Sequence, residues 1–156
     1  MQVLLFELNG EEYGILLKDV AFVSEKVNVV KVPDAPEAVS GIAMLRDKLV
    51  PVYSLASLFG FVEQESRYLL VIKVDDIRIA LEVTKVNRVI YIGRESVALL
   101  PSIIRATQMC FREVVIYEKK LIRLLDISGL VTRQDRGKLR LAIKRYVEKI
   151  TPAEGI

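Results

Sequence analysis

The chain has no histidine and a single cysteine, Cys110, among its 156 residues. Without histidine, a Ser-His-Asp or Cys-His nucleophilic site is excluded, as is any metal site built on imidazole. One thiol makes neither a thiolate metal cluster nor an internal disulfide framework, and it suits a reducing compartment. Flanked by Met109 and Phe111, Cys110 reads as a buried strand residue rather than a nucleophile. No glycine-rich phosphate loop occurs, in either the G-x-G-x-x-G or the P-loop spacing. Long apolar runs are also missing: stretches such as 68–72 and 114–117 are strand-length, against the ~18 residues that a membrane span needs. The opening, MQVLLFELNGEE, has no basic n-region and soon turns polar, so it does not read as a signal peptide. Together these absences predict a cytoplasmic protein that is not an enzyme and carries no cofactor.

What the chain does have is β-forming residues. Hydrophobic residues make up 52%, the mean hydropathy is +0.34, and valine and isoleucine number 21 and 15. Most lie in short alternating runs broken by Asn-Gly, Asp-Asp, glycine or proline, a pattern of small barrels or a sandwich. The length fits one domain with a real core.

Asn9-Gly10, between 3–8 and 13–17, is the strongest short hairpin signal. Residues 27–32 read as a further strand, closed by Pro33 and Pro36. The stretch 39–61 reads as strand, tight polar turn at Arg46-Asp47-Lys48, strand, then a helical turn. Pro51 cannot donate to a ladder, which predicts a sheet edge or a neighbouring bulge. The pattern then repeats. At a separation of 66, Leu5 meets Val71, Ile15 meets Leu81 and Val20 meets Val86; at 72, Lys48-Leu49-Val50 meets Lys120-Leu121-Ile122. Residues 1–132 thus read as a pseudo-repeat of about 1–66 and 67–132, with halves too small to be stable apart and so expected to share a core. Residues 133–156 form a separate tail. Within 133–149 there are seven basic and two acidic residues, and Leu139, Ala142, Ile143, Tyr146, Val147 and Ile150 recur at the spacing of an amphipathic helix that Pro152 ends.

Adjacent carboxylates occur at Glu11-Glu12 and Asp75-Asp76, but both pairs read as hairpin-turn residues rather than as a general acid and base facing across a cleft. Three surfaces remain as binding candidates. The first is the basic helix face, Arg136, Arg140, Lys144 and Arg145, suited to nucleic acid or an anionic membrane. A net charge of +3 is modest for a nucleic-acid footprint, and the helix could instead dock on the β body. The second is the strip Val20, Phe22, Val23. Ala21, Phe22 and Val23 cannot all face inward from one regular strand, which places Phe22 at the surface. The third is Arg46, a cation at the tip of an apolar hairpin.

These residues also resemble a known family, the CheW-like coupling domain of bacterial chemotaxis. Its run Gly-hydrophobic-x-x-Leu-Arg-Gly-x-hydrophobic-hydrophobic-Pro-Val is matched by residues 41–52, GIAMLRDKLVPV. Tyr13-Gly14-Ile15, Val20-Ala21-Phe22-Val23, Pro33-Asp34-Ala35-Pro36 and Leu124-Leu125-Asp126 match further motifs, and the resemblance spans roughly 2–132. It implies a mostly β fold of two intertwined five-stranded SH3-like barrels, here with a C-terminal amphipathic helix. It also implies a non-catalytic adaptor between the cytoplasmic tips of chemoreceptors and the regulatory domain of a CheA-type histidine kinase, near membranes only through the receptors. Carried over, Arg46, Gly41, Val20, Phe22 and Asp47 are the partner-binding candidates. Asp47 stands where the family has glycine, Phe22 where an acidic residue is usual, Thr84 where Asp is usual and Ala80 where Gly is. The basic helix is longer than the family requires.

Overall fold

The computed structural model describes residues 1–35, 38–62, 65–103, 110–131, 135, 137–141 and 143–145. Eleven strands are found among them: β1 Gln2–Leu8, β2 Glu11–Leu16, β3 Val20–Glu25, β4 Val39–Leu45, β5 Lys48–Ser54, β6 Tyr68–Val74, β7 Ile77–Val83, β8 Lys85–Tyr91, β9 Val97–Leu99, β10 Phe111–Tyr117 and β11 Lys120–Leu125. Helical turns at Leu55–Leu58 and Ile127–Leu130 follow β5 and β11. Side-chain caps fix both turns, since Ser54 accepts from the Ser57 N–H and Asp126 from the Ser128 N–H.

The strands form two sheets, ordered β8-β1-β2-β11-β10-β9 and β3-β6-β7-β5-β4. One has six strands rather than five, because the three-residue β9 adds to the outside of β10. Neither sheet belongs to one half of the sequence. β3 leaves its own hairpin and pairs antiparallel with β6, while β8 leaves β6–β7 and pairs with β1. Two short parallel ladders complete the exchange, β2 on β11 and β7 on β5. The 3-10 turn Leu17–Asp19 sends the first half across, and Thr84 alone separates β7 from β8. Each sheet therefore needs both halves of the chain to exist.

Equivalent features recur at fixed separations. β1 and β6 open at Gln2 and Tyr68, 66 positions apart; β5 and β11 open at Lys48 and Lys120, 72 apart. Bulges recur likewise: the ladders slip at Ala21 and Asn87, and again at Ser40 and Arg112. So do the tight turns, where Asn9 and Asp75 have φ of 54° and 53°, and Arg46-Asp47 and Glu118-Lys119 are all at positive φ. The Ala21 bulge is the physical resolution of three consecutive apolar residues on one strand.

Three buried clusters hold the molecule together. One lies within the six-stranded sheet (Val3, Leu5, Ile90, Val115, Ile122), and one within the five-stranded sheet (Leu45, Val50, Val52, Leu69, Val71). The largest lies between them and takes residues from both halves, among them Phe6, Tyr13, Leu70, Ile79, Phe111 and Leu125. At its centre Tyr13 stacks on Phe111 with centroids 5.6 Å apart, and Phe59 lies 5.0 Å from Phe111. Arg123 closes the rim of this cluster. Its guanidinium bonds Glu11 at 2.6 Å and the Tyr13 hydroxyl at 3.0 Å, tying β11 to β2 across 110 residues of sequence.

Two expectations are corrected here, and one of the two alternatives for Pro51 is ruled out. Residues 27–32 do not form a strand; only Val30 joins a ladder, through one bridge to Ile42. Of the two alternatives for Pro51, the sheet edge does not hold, since β5 lies between β7 and β4, whereas a bulge is found beside it at Ser40, one pair along the β4–β5 ladder. Ile42, the partner of Pro51, turns both backbone groups to Val30, each at 2.8 Å, so Pro51 removes no bond from the β4 ladder. It also precedes the β7 ladder, which starts at Val52. Glu11 and Glu12 belong to strand β2 rather than to the turn, and they bond Arg123 and Asn87.

The C-terminal segment is helical at 137–141 and 143–145. Leu139 is buried in the central cluster, so the segment docks on the β body.

Candidate functional site

Two elements build the site: the β4–β5 turn and the strand β3. The Arg46-Asp47 turn has φ of 50° and 62°, the left-handed pair that suits a twisted two-residue hairpin, but with no glycine to relieve it. Both residues are exposed. The turn carries Arg46 back to β3, where its guanidinium carbon lies 3.8 Å from the centre of the Phe22 ring. Arg78, on β7, approaches the same ring at 5.9 Å. Both distances are within the range of cation–π attraction. Phe22 is half-buried against the five-stranded cluster, so its ring is held by the core while the two guanidinium groups lie over it.

The other candidate residues are placed differently. Val20 packs against the central cluster, on the far side of the Ala21 bulge from Phe22. Val23 is exposed. Gly41 is buried five residues before the turn, about 16 Å along the strand from Arg46. A β-carbon there would stand 2.2 Å from the Val30 carbonyl oxygen, so Gly41 lets the 29–30 backbone lie against β4 and offers no side chain to a partner. Asp47 sits beside Arg46 in the turn and forms no ion pair with it among the described residues. Along the outer side of β4, Val27, Val30, Ala43, Met44 and Leu49 line an apolar groove of about 310 Å³, with Met44 58% exposed.

The basic tail is engaged by the body of the protein. Arg140 pairs with Asp76 in the β6–β7 turn and holds that carboxyl below its usual range, and Arg145 pairs with Asp34 at 3.8 Å. Lys144 is exposed. Arg136, Ala142, Tyr146, Val147, Ile150 and Pro152 lie outside the described residues.

Polar groups also converge in a cleft of about 510 Å³ between the sheets, lined by Asp19, Lys73, Asp75, Arg112, Glu113 and Asp126 among others. Burial pushes the Asp19 carboxyl up, against Lys18 and Lys73, which favour its ionised form. Asp126 is occupied as a helix cap, accepting from the Ser128 N–H at 3.2 Å and hydroxyl at 2.8 Å. Burial lifts the Cys110 thiol to about 11, which leaves it protonated at neutral pH and unreactive as a nucleophile. Among the described residues no group of three or more acidic or cysteine side chains is arranged to hold a metal, and no helix is long and apolar enough to cross a membrane.

Arg46 and Phe22 are the sequence-derived candidates that the fold brings into contact. Arg78 was not among them. Only the pairing of β3 with β6, and of β6 with β7, carries it to the Phe22 ring, and nothing local to residue 78 signals this.

Comparison with known proteins accounts for this architecture. The CheW-like domain model matches residues 2–135. The chemotaxis protein CheW of Thermotoga maritima is 27% identical over 157 residues, covering 99% of this chain and 93% of that protein. That of Treponema pallidum is 27% identical, covering 88% and 86%. The crystal structure of the scaffolding protein TtCheW from Thermoanaerobacter tengcongensis superposes with a TM-score of 0.76 at 26% identity, covering 86% of this chain and 89% of that one. With its strands exchanged between two sheets and a family match over nearly its whole length, this chain belongs to the CheW-like domain family and is a non-catalytic chemotaxis scaffold.

Proposed function

We propose that the protein works in the cytoplasm as a coupling adaptor, joining the cytoplasmic tip of a chemoreceptor to the regulatory domain of a CheA-type histidine kinase. The family match over residues 2–135 carries this reading. The part of the surface we assign to a partner is the end of the five-stranded sheet, where Arg46, Asp47 and Phe22 are presented together. Gly41 shapes β4 beneath it, and Val20 seats β3 on the central cluster. An adaptor of this kind needs only modest affinity at each surface, because simultaneous engagement of two partners multiplies the effective strength.

The alternative, a basic protein that binds nucleic acid or membrane through its tail, is disfavoured by one observation. Leu139 is buried, and Arg140 and Arg145 are already paired with acids of the same chain.

Titration of the intact protein with the kinase regulatory domain and, separately, with a receptor-tip fragment from the same source tests the reading. Saturable binding of both is expected, with the receptor fragment lost on Arg46→Glu. Failure of both to bind would reject it. Binding to duplex DNA with steep salt dependence would favour the alternative.

A further inference from the structure

The pseudo-repeat supplies an internal control for the Phe22 surface. At one end of the five-stranded sheet stand Lys73, Arg78, Phe22 and Arg46. The positions equivalent to them on the six-stranded sheet, 66 or 72 residues away, are Glu7, Glu12, Arg88 and Glu118. Three cations and a phenyl ring in one sheet thus correspond to three carboxylates and an arginine in the other.

The two ends differ in how their charges are satisfied. On the six-stranded sheet, Glu12 accepts a 2.7 Å bond from Asn87, Glu7 lies opposite Lys85 on β8, and Arg88 reaches Glu118 at 3.9 Å. At that end Glu12 and Glu118 each have a side-chain partner. On the five-stranded sheet, Lys73 and Arg78 are paired directly across β6–β7 just as Glu7 and Glu12 are across β1–β2, each a like-charge juxtaposition that a sheet does not favour, so the difference lies in the partners of the other charges. Arg46 and Arg78 share the Phe22 ring, which attracts cations but cannot neutralise them. Neither arginine is within ion-pair distance of a described carboxylate. A carboxylate at position 22 would close this end as Glu118 closes the other; phenylalanine leaves the positive charge open and holds it in place.

We propose that Arg46 and Arg78, stacked on Phe22 and flanked by Lys73, form a clamp for acidic side chains of a partner protein segment. The proposal rests on the assignment of this surface to a partner, and it adds the partner's chemistry and two further contact residues, Arg78 and Lys73. A planar guanidinium fixed on a ring offers its N–H edge to a carboxylate in a defined direction and loses little side-chain freedom on binding. The partner segment would carry Asp or Glu where it meets the clamp, with apolar contact to the ring edge between them.

Two synthetic helical peptides of equal length test this, one with glutamate spaced on a single face and one with glutamine in its place. Each is titrated at low salt into the intact, isotopically labelled protein while the arginine Nε–H and backbone amide resonances are followed. The glutamate peptide should shift the Arg46 and Arg78 side-chain signals and the amides around Phe22, and the glutamine peptide should not. Arg46→Gln and Arg78→Gln should each weaken the glutamate peptide roughly threefold to fivefold, with the rest of the spectrum unchanged to show that the fold is kept. Equal shifts from both peptides, or shifts confined to other surfaces, would overturn the clamp. So would stronger saturation of the same residues by phosphatidylserine vesicles or a DNA duplex at equal charge. These outcomes do not depend on whether a receptor fragment or kinase domain binds, so the clamp and the coupling role can fail separately.

Discussion

Arg46 lies 3.8 Å above the ring of Phe22, and the equivalent pair in the other sheet, Glu118 and Arg88, meets as an ion pair at 3.9 Å. In each sheet the turn of a late hairpin meets the strand of its own half that pairs with the other half, β3 in one sheet and β8 in the other. The same closure is made once with a stacked cation and once with opposite charges. A double-mutant cycle on Arg46→Ala and Phe22→Leu is expected to give a coupling of about 0.5–1 kcal/mol. The Arg88 and Glu118 side chains are 56% and 67% exposed, and their cycle is expected to give no more than a few tenths. Chemical denaturation of the four variants in each cycle measures both.

Backbone conformation at two positions of the same hairpin makes opposite predictions. Gly41→Ala forces a β-carbon against the Val30 carbonyl, with φ at +155°, and should cost about 2 kcal/mol or more. Faster amide exchange at Val30 and Ile42 would accompany it, since those two residues bond each other through the strand that must move. Asp47→Gly removes a side chain from φ of 62° and should stabilise by about 0.5–1 kcal/mol.

Among the described residues of the helical tail, Leu139 is the one buried in the central cluster. Leu139 is 1% exposed, and Leu139→Ala should destabilise by about 2–4 kcal/mol. Arg140→Ala, which breaks a pair with a fully exposed carboxylate, should change the unfolding midpoint far less. Equal effects of the two substitutions would mean that the segment is held by charge rather than by packing.

Alkaline pH should unfold the protein gradually. Burial raises the Cys110 thiol from 9.0 to about 11 and the Tyr13 hydroxyl from 10.0 to about 12, and it also raises Tyr53. In each case the folded state keeps a proton that the unfolded chain has already lost. The stabilising difference is therefore complete below pH 9 and is lost as pH rises through the window up to 12. The slope is on the order of 1 kcal/mol per pH unit for each group. Denaturation midpoints between pH 8 and 12 check this, and Cys110→Ala should flatten the lower part of the decline.

Much of the fold is legible in the residues because its hairpins are local. Asn9-Gly10 and the polar break at 46–48 mark turns, the apolar alternation marks arms, and the two separations carry every strand of the repeat except β9. Which strand pairs with which is not local. β3 and β8 have the same pattern whether they stay with their own hairpin or cross over, and the crossing depends on a short 3-10 turn and on Thr84. Residues 27–32 are β-branched enough to suggest a strand, yet only Val30 finds a partner because Gly41 opens a single point of approach. For the site, three apolar residues in a row signal an irregular strand, and the Ala21 bulge is the mechanism, but the residue that turns outward is Val23, while Phe22 stays half-buried. Its contact with Arg46 and Arg78 does not follow, since it depends on elements brought together from both halves. The contact of Arg123 with Glu11 and Tyr13 does not follow either, for the same reason.

The most direct measurement is a three-component assembly. The intact protein is mixed with a receptor-tip fragment and the regulatory domain of a CheA-type kinase from the same source, and the complex is sized by sedimentation. A coupling adaptor yields a species containing all three, which disappears when the protein is omitted and in which Arg46→Glu releases the receptor fragment while retaining the kinase domain. If the receptor fragment and kinase domain sediment separately whether or not the protein is present, the protein does not couple them.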